Sequence, residues 1–199
     1  LLMSHGFNDW NVMPEHSYRI YKRATEMGIP TQIYYHQNGH GGPPPLKMMN
    51  RWFTRYLHGI ENDVENDAKA WIVREQDKRT EPTAYKAYPN PAAQQVTLNI
   101  TAGAPGIGTL TLQDSESKGK ESLIDNSSFS ATSLAQATTS DHRLLYVSSI
   151  LKEDVHISGS ASIRIRAASS KPAVNLSVYL VSLPWNKDRR AKITDNIIT

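Results

Sequence analysis

Cysteine is absent from the 199-residue sequence, which excludes a disulfide framework, a cysteine nucleophile and thiolate metal sites. Long hydrophobic runs are absent too: the longest, such as residues 144–147, fall far short of the roughly 20 residues of a membrane-spanning helix. Neither charge sign dominates, since 22 Lys and Arg stand against 19 Asp and Glu, and the basic residues form no stripe. These absences predict a globular protein whose partner is neither a membrane nor a nucleic acid.

Both ends of the sequence have the character of strands. The chain opens on Leu1-Leu2-Met3 and stops on Ile197-Ile198-Thr199. Its start has neither an initiator methionine nor the charged and apolar regions of a signal peptide. We therefore expect this sequence to be an internal piece of a longer protein.

The first 80 residues predict strands that alternate with helices. Residues 1–4 and 31–36 are short and rich in β-formers. Helical periodicity runs from Pro14, which suits a first helical position, to Gly28, which suits a helix end. A second amphipathic helix is predicted over residues 46–58. The order strand, helix, strand, helix predicts a parallel α/β sheet.

The composition changes after about residue 80. Residues 81–95 are punctuated by proline and predict a linker, and helix signals disappear beyond it. Short strands are predicted from apolar runs and from alternating polar and apolar residues, over residues 96–101, 109–112, 144–147, 160–167 and 174–183. Many short strands without helices predict a β-sandwich of the jelly-roll kind over residues 96–199.

Each of the two predicted parallel strands is followed by a side chain suited to catalysis. Asp9 follows the first strand and His40 follows the second, 31 positions later. Because parallel strands end at one edge of a sheet, both loops open where catalytic groups gather. A carboxylate that accepts the Nδ1 hydrogen of a histidine fixes its tautomer and leaves Nε2 as a general base. In the plainer interpretation, Asp9 is an ordinary turn residue and His40 an ordinary loop residue.

Several segments resemble one family of serine hydrolases. Residues 5–12, His-Gly-Phe-Asn-Asp-Trp-Asn-Val, resemble the acid loop of the Xaa-Pro dipeptidyl-peptidase family, whose wider group includes cocaine esterase and the α-amino-acid ester hydrolases. Residues 37–45 are similar to its histidine loop, residues 50–59 to the helix that follows, and residues 158–183 to its C-terminal jelly roll. The resemblance covers most of the chain and is weakest over residues 113–140.

The resemblance implies a fold class of α/β followed by all-β. Residues 1–80 would be the C-terminal part of an α/β-hydrolase catalytic domain, residues 81–95 a linker, and residues 96–199 a jelly-roll β-sandwich, with both domains incomplete. It also implies a serine exopeptidase that releases N-terminal Xaa-Pro dipeptides through a Ser-His-Asp triad. In that triad Asp9 is the acid and His40 the base.

The third triad member is not recognisable in this sequence. No Gly-x-Ser-x-Gly pattern occurs in it. The resemblance implies that the serine nucleophile, the oxyanion donors and the proline pocket lie upstream. We therefore expect the fragment alone to be inactive. The partners implied are a peptide substrate with proline at its second position and the missing upstream part of the same protein. A homo-oligomer stays open.

Other functions also stay open at this point. The acid and histidine loops do not read the substrate, so an esterase or acylase of the same superfamily is one alternative. A sandwich that acts as a carbohydrate-binding module is another, although residues 92–183 contain only Phe129, Tyr146 and Tyr179 as aromatic residues. The resemblance to bacterial members of this family favours a cytoplasmic location, with export or the periplasm as the alternative.

The remaining histidines suggest neither a metal nor a cofactor. His36 and His40 have the spacing of a helical metal pair, but the glycines around His40 and the lack of an intervening glutamate argue against one. No cofactor is predicted. His5, at the end of the first strand, either orients the acid loop or fills a packing position.

Overall fold

The structure, a computed structural model, describes residues 1–9, 11–74, 77–114 and 119–183. These residues form two compact units. The first unit consists of Leu1–Ala93 together with Ile157–Ser160, and the second contains the rest of the described chain. The predicted strand-like end at residues 197–199 lies outside the described residues.

The first unit is built on a four-stranded sheet with the order β1-β2-β3-β4, in which the first three strands are parallel and the fourth is antiparallel. Its elements in chain order are β1 (Leu2–Gly6), α1 (Pro14–Glu26), β2 (Gln32–His36), α2 (Leu46–Tyr56), a 3-10 turn (Val64–Asn66), β3 (Ala70–Ile72) and β4 (Thr83–Tyr85). The predicted succession of strand, helix, strand and helix is confirmed. β4 falls inside the predicted linker, where Thr83 pairs with Ile72.

The local sequence explains where these elements begin and end. Every residue of β2 is buried because it lies between β1 and β3, which suits its run of β-formers. Helix α1 begins at Pro14 and is followed by Gly28, whose φ of 71° is the left-handed conformation of a helix end. None of the described helices combines the length and the apolar character needed to cross a membrane.

The core of the first unit packs α1 against the sheet and supports the loop after β1. Its buried members are Tyr21 of α1 and, on the sheet, Ile33, Tyr35, Ala70 and Ile72. The ring of Phe7, just beyond β1, stacks on that of Tyr35 with 4.6 Å between centroids and an angle of 12°. The Tyr35 hydroxyl donates to the carbonyl of Pro14 at 3.2 Å. The first residues after β1 are therefore held by the core.

The second unit contains a three-stranded sheet of order β5-β6-β7 and one short helix. The strands are β5 (Asn99–Thr101), β6 (Gly108–Thr111) and β7 (Tyr146–Val147), with α3 (Ala131–Gln136) before β7. The Ser130 hydroxyl accepts a hydrogen bond from the backbone of Ser133 and caps α3. Mixed sheets with few helices fit the predicted mainly β part of the chain.

Two expectations for this unit are wrong. The sequence predicts no helix beyond the linker, but the structure contains α3, whose N-terminus is capped by Ser130 of the polar segment after residue 115. The strands predicted over residues 160–167 and 174–183 do not form, and most apolar side chains there, such as Ile165 and Val174, are exposed. An alternating segment becomes a strand only by pairing its backbone with a neighbour, and these residues pair with no other described strand.

Candidate active site

Parallel pairing brings the two predicted catalytic loops together. Gly6, the last residue of β1, is in register with His36, the last residue of β2. Beyond the sheet, the backbone N–H of Phe7 donates to the carbonyl of His36 at 2.8 Å, and that of Asn8 donates to the carbonyl of Asn38 at 3.2 Å. The two segments of the chain therefore remain adjacent as they enter the loops.

Glycine is required at the point where the loops are closest. A β-carbon at Gly6 would lie far inside van der Waals contact of the carbonyl oxygens of Asn38 and Gly39. Only hydrogen fits there, so the loop after β2 can cross directly over the end of β1.

The two candidate residues make direct contact across this junction. His40 Nδ1 lies 2.9 Å from Asp9 Oδ2. The side chain of Asp9 is only 3% exposed, whereas that of His40 is 63% exposed. A buried carboxylate thus holds one edge of an imidazole whose other edge faces outward. Among the described residues, none hydrogen-bonds to His40 Nε2.

The surroundings of Asp9 keep it ionised. Burial on its own would raise the pKa of Asp9, but hydrogen bonds from the backbone N–H groups of Val12 and Asn11, together with His40, outweigh it and lower the pKa to about 2. Both backbone donors reach Oδ1, at 3.1 Å and 2.9 Å. A carboxylate can only accept, so the Nδ1 of His40 carries a hydrogen, and in the neutral form of the ring Nε2 then has the free lone pair.

The loop that carries His40 is held by hydrogen bonds from two residues that the sequence analysis did not identify. The Ser4 hydroxyl donates to the carbonyl of Gly42 at 2.5 Å, and Arg79 Nη2 donates to that of Pro43 at 3.1 Å. Gly42 has a φ of 119°, and a β-carbon there would come within 2.6 Å of Arg79 and 2.8 Å of His36 Nε2. No sequence pattern links these residues, since contacts between distant segments create the support.

His36 lies close to Gly42 and takes no part in the contact between Asp9 and His40. It is fully buried in β2, and its Nδ1 accepts a hydrogen bond from the backbone of Asn38 at 3.1 Å. Burial, reinforced by the charge of Arg79, lowers the pKa of His36, which favours the neutral ring. The described residues contain no cluster of three or more His, Cys, Asp or Glu side chains that could hold a metal ion.

Comparison with known proteins finds one matching protein family and several similar sequences. The sequence pattern of the X-Pro dipeptidyl-peptidase C-terminal non-catalytic domain matches residues 62–199. The match begins after His40, so both Asp9 and His40 lie outside the part described as non-catalytic. It also begins before the linker predicted at residues 81–95.

Individual relatives agree with this match. A Rhodopirellula baltica protein, provisionally named a Xaa-Pro dipeptidyl-peptidase, is 54% identical over the whole chain, which covers 32% of that protein. A Bacillus anthracis protein with the same provisional name is 28% identical, with 89% of this chain and 30% of the relative aligned. The Xaa-Pro dipeptidyl-peptidase of Lacticaseibacillus rhamnosus is 26% identical, with 92% and 24% aligned. The chain thus spans a third or less of these curated relatives. No solved structure matches it.

Proposed function

The chain belongs to the family of the X-Pro dipeptidyl-peptidase C-terminal non-catalytic domain, and on that premise we propose that it is part of a serine exopeptidase that releases N-terminal Xaa-Pro dipeptides. In this proposal residues 1–80 belong to an α/β-hydrolase catalytic domain, residues 81–95 form a linker, and residues 96–199 belong to a jelly-roll domain. The substrate is a peptide with proline at its second position.

The observation that carries the proposal is the contact between Asp9 Oδ2 and His40 Nδ1, with Nε2 left outward. Asp9 holds the imidazole in the tautomer that a general base needs and stabilises the imidazolium that forms. His40 Nε2 takes the proton of a serine hydroxyl during attack on the substrate carbonyl. It then gives that proton to the leaving amine.

The nucleophile in this proposal is a serine from outside the 199 residues. The sequence contains no Gly-x-Ser-x-Gly elbow, and in hydrolases of this fold the nucleophile precedes the acid and the histidine along the chain. The order Asp9 and then His40 fits the last two positions of that arrangement. Asp9 and His40 follow the parallel strands β1 and β2. Catalytic residues commonly lie at the edge of the sheet where such strands end.

Substitution of the pair in the full-length protein tests this function. With an alanyl-prolyl chromogenic amide as substrate, we expect kcat to fall by a factor on the order of 10³ or more in His40→Ala and in Asp9→Asn, because each loses the functional base. The exposed His16 of α1 is a matched control, and His16→Ala should retain the wild-type rate. A loss below about tenfold in His40→Ala would remove this residue from the mechanism.

The same enzyme assayed on simple acyl esters separates a peptidase from an esterase or acylase, since Asp9 and His40 would serve either reaction. Preference for the alanyl-prolyl amide over the esters supports the peptidase. Turnover of the esters alone would reject it and favour the alternative hydrolase.

A further inference from the structure

His5 is a second histidine beside Asp9, and both nitrogens of its ring have partners. Its Nδ1 is 2.6 Å from the Ser17 hydroxyl of α1. Its Nε2 is 2.8 Å from the carbonyl oxygen of Val12 and 3.2 Å from Asp9 Oδ2. The His5 side chain is only 8% exposed. Strand β1, the acid loop and helix α1 therefore meet at this imidazole.

The partners of His5 determine its tautomer. The carbonyl oxygen of Val12 can only accept a hydrogen bond, so Nε2 carries a hydrogen. In the neutral ring Nδ1 is then an acceptor, and the Ser17 hydroxyl donates to it. The Nε2 hydrogen is donated to the carbonyl of Val12, and Asp9 Oδ2 lies 3.2 Å from the same nitrogen. His5 thus contacts the oxygen that binds His40 and is hydrogen-bonded to the loop that carries Asp9.

We propose that His5, oriented by Ser17, is a positioning residue that holds Asp9 Oδ2 toward His40 in the reaction under Proposed function, on which this inference rests. The two oxygens of Asp9 are held differently. Backbone N–H groups fix Oδ1, whereas Oδ2 binds His40 and has His5 Nε2 at 3.2 Å. Without His5, the carboxylate loses the contact that directs Oδ2.

This matters because His40 itself is weakly supported. Its side chain is largely exposed, and it stands in a loop with Gly41 and Gly42 at positive φ. Asp9 is the described side chain that hydrogen-bonds to it. A small rotation of the Asp9 carboxylate therefore moves the base, and a displacement of about 1 Å in a catalytic group can cost about 100-fold in rate.

The test is a double-mutant cycle in the full-length enzyme with the alanyl-prolyl amide. We expect His5→Ala to lower kcat by about tenfold to 100-fold with KM unchanged. His5→Gln places an amide donor near the position of Nε2 and should recover most of that loss. In the Asp9→Asn background, His5→Ala should have little further effect, because the route through Asp9 is already broken. His16→Ala is the matched control.

Ser17→Ala is the milder second variant, which keeps the test decisive if His5→Ala does not fold. It should lower kcat several-fold in the wild-type background and leave Asp9→Asn unchanged. An undiminished kcat in His5→Ala or Ser17→Ala, or a loss that persists in full in the Asp9→Asn background, would overturn the positioning role alone. If His40→Ala retains activity, the proposed function and this inference both fail.

Discussion

At the scale of single residues, the two oxygens of Asp9 have separate tasks. Oδ1 accepts two backbone hydrogen bonds and ties the carboxylate to its own loop. Oδ2 accepts a hydrogen bond from the side chain of His40. Because these hydrogen bonds act on the ionised form, they also connect the stability of the fold to pH.

The pH dependence of unfolding should reveal this link. The pKa of Asp9 is lowered from 3.8 to about 2 in the folded chain, so the ionised carboxylate favours the folded state above its unfolded pKa. That stabilisation is lost as the pH falls from about 4 to about 2. Thermal midpoints of the wild type and Asp9→Asn should differ by a constant amount above about pH 5 and converge toward pH 2. Parallel curves throughout would contradict this.

Gly6 is a second residue on which the site depends. We expect Gly6→Ala to cost about 1–3 kcal/mol, because the added methyl group overlaps the carbonyls of the loop after β2. Gly39→Ala is the matched control in the facing loop, where a β-carbon would meet the carbonyl oxygen of Asn8 at an ordinary 3.4 Å. Urea unfolding measures both variants. Equal losses would show that the close approach at Gly6 is unimportant.

The sequence indicated part of this arrangement at the residue scale. Asp9 and His40 could be identified because each follows a strand-like run, and parallel strands deliver such residues to one edge. The contacts of His5 with Ser17 and of Arg79 with Pro43 had no such signal. Each contact joins segments that are distant in the sequence. His5 meets Ser17 because α1 packs beside β1, and Arg79 meets Pro43 because the chain returns to the histidine loop after β3.

At the scale of elements, α2 anchors the far end of the histidine loop. Trp52 is the buried residue of this helix, 5% exposed, and its ring lies 4.5 Å from that of Tyr56. Arg51 also forms a bidentate pair with Asp67, with Nε 2.9 Å from Oδ2 and Nη2 3.0 Å from Oδ1. This pair connects the helix to the segment that leads into β3. The loop carrying His40 is thereby held between β2 and an anchored helix.

Truncation of the buried tryptophan should show how much this anchor contributes. Trp52→Ala removes a large buried ring and should lower the free energy of unfolding by about 3–5 kcal/mol. Leu46→Ala, on the same helix but at a side chain 77% exposed, should change it by no more than about 0.5 kcal/mol. Chemical denaturation monitored by circular dichroism gives both values. Similar effects at the two positions would mean that α2 is not held through Trp52.

The elements also show where sequence patterns stop being informative. Helix α1 was predictable because Pro14 and Gly28 mark its limits locally. The alternation in residues 160–167 and 174–183 identified a potential sheet face, but alternation does not supply the neighbour with which a strand must pair. Helix α3 was missed because its sequence is polar and its cap, Ser130, stands among many other serines.

At the scale of the whole molecule, the chain carries the proposed acid and base but no recognisable nucleophile. We expect the isolated 199-residue chain to show no turnover of an alanyl-prolyl chromogenic amide, since acyl transfer needs a nucleophile held against His40 and donors for the oxyanion. The measurement is amide hydrolysis with a serine-reactive organophosphate as a control. Turnover together with a labelled serine within residues 1–199 would overturn the assignment of the nucleophile to another part of the protein.

The pairing of β1 with β2 has a consequence for how homologous sequences are recognised. Asp9 and His40 meet because Gly6 and His36 are in register, not because 31 positions separate them. The segment between the two strands forms α1 and reaches β2 through an exposed turn at Gly28, where a β-carbon would meet no neighbour. Insertions or deletions at that turn leave the junction of the two loops unchanged. Homologues should therefore tolerate wide variation in the distance between the two motifs, and a search that fixes this distance would overlook genuine members.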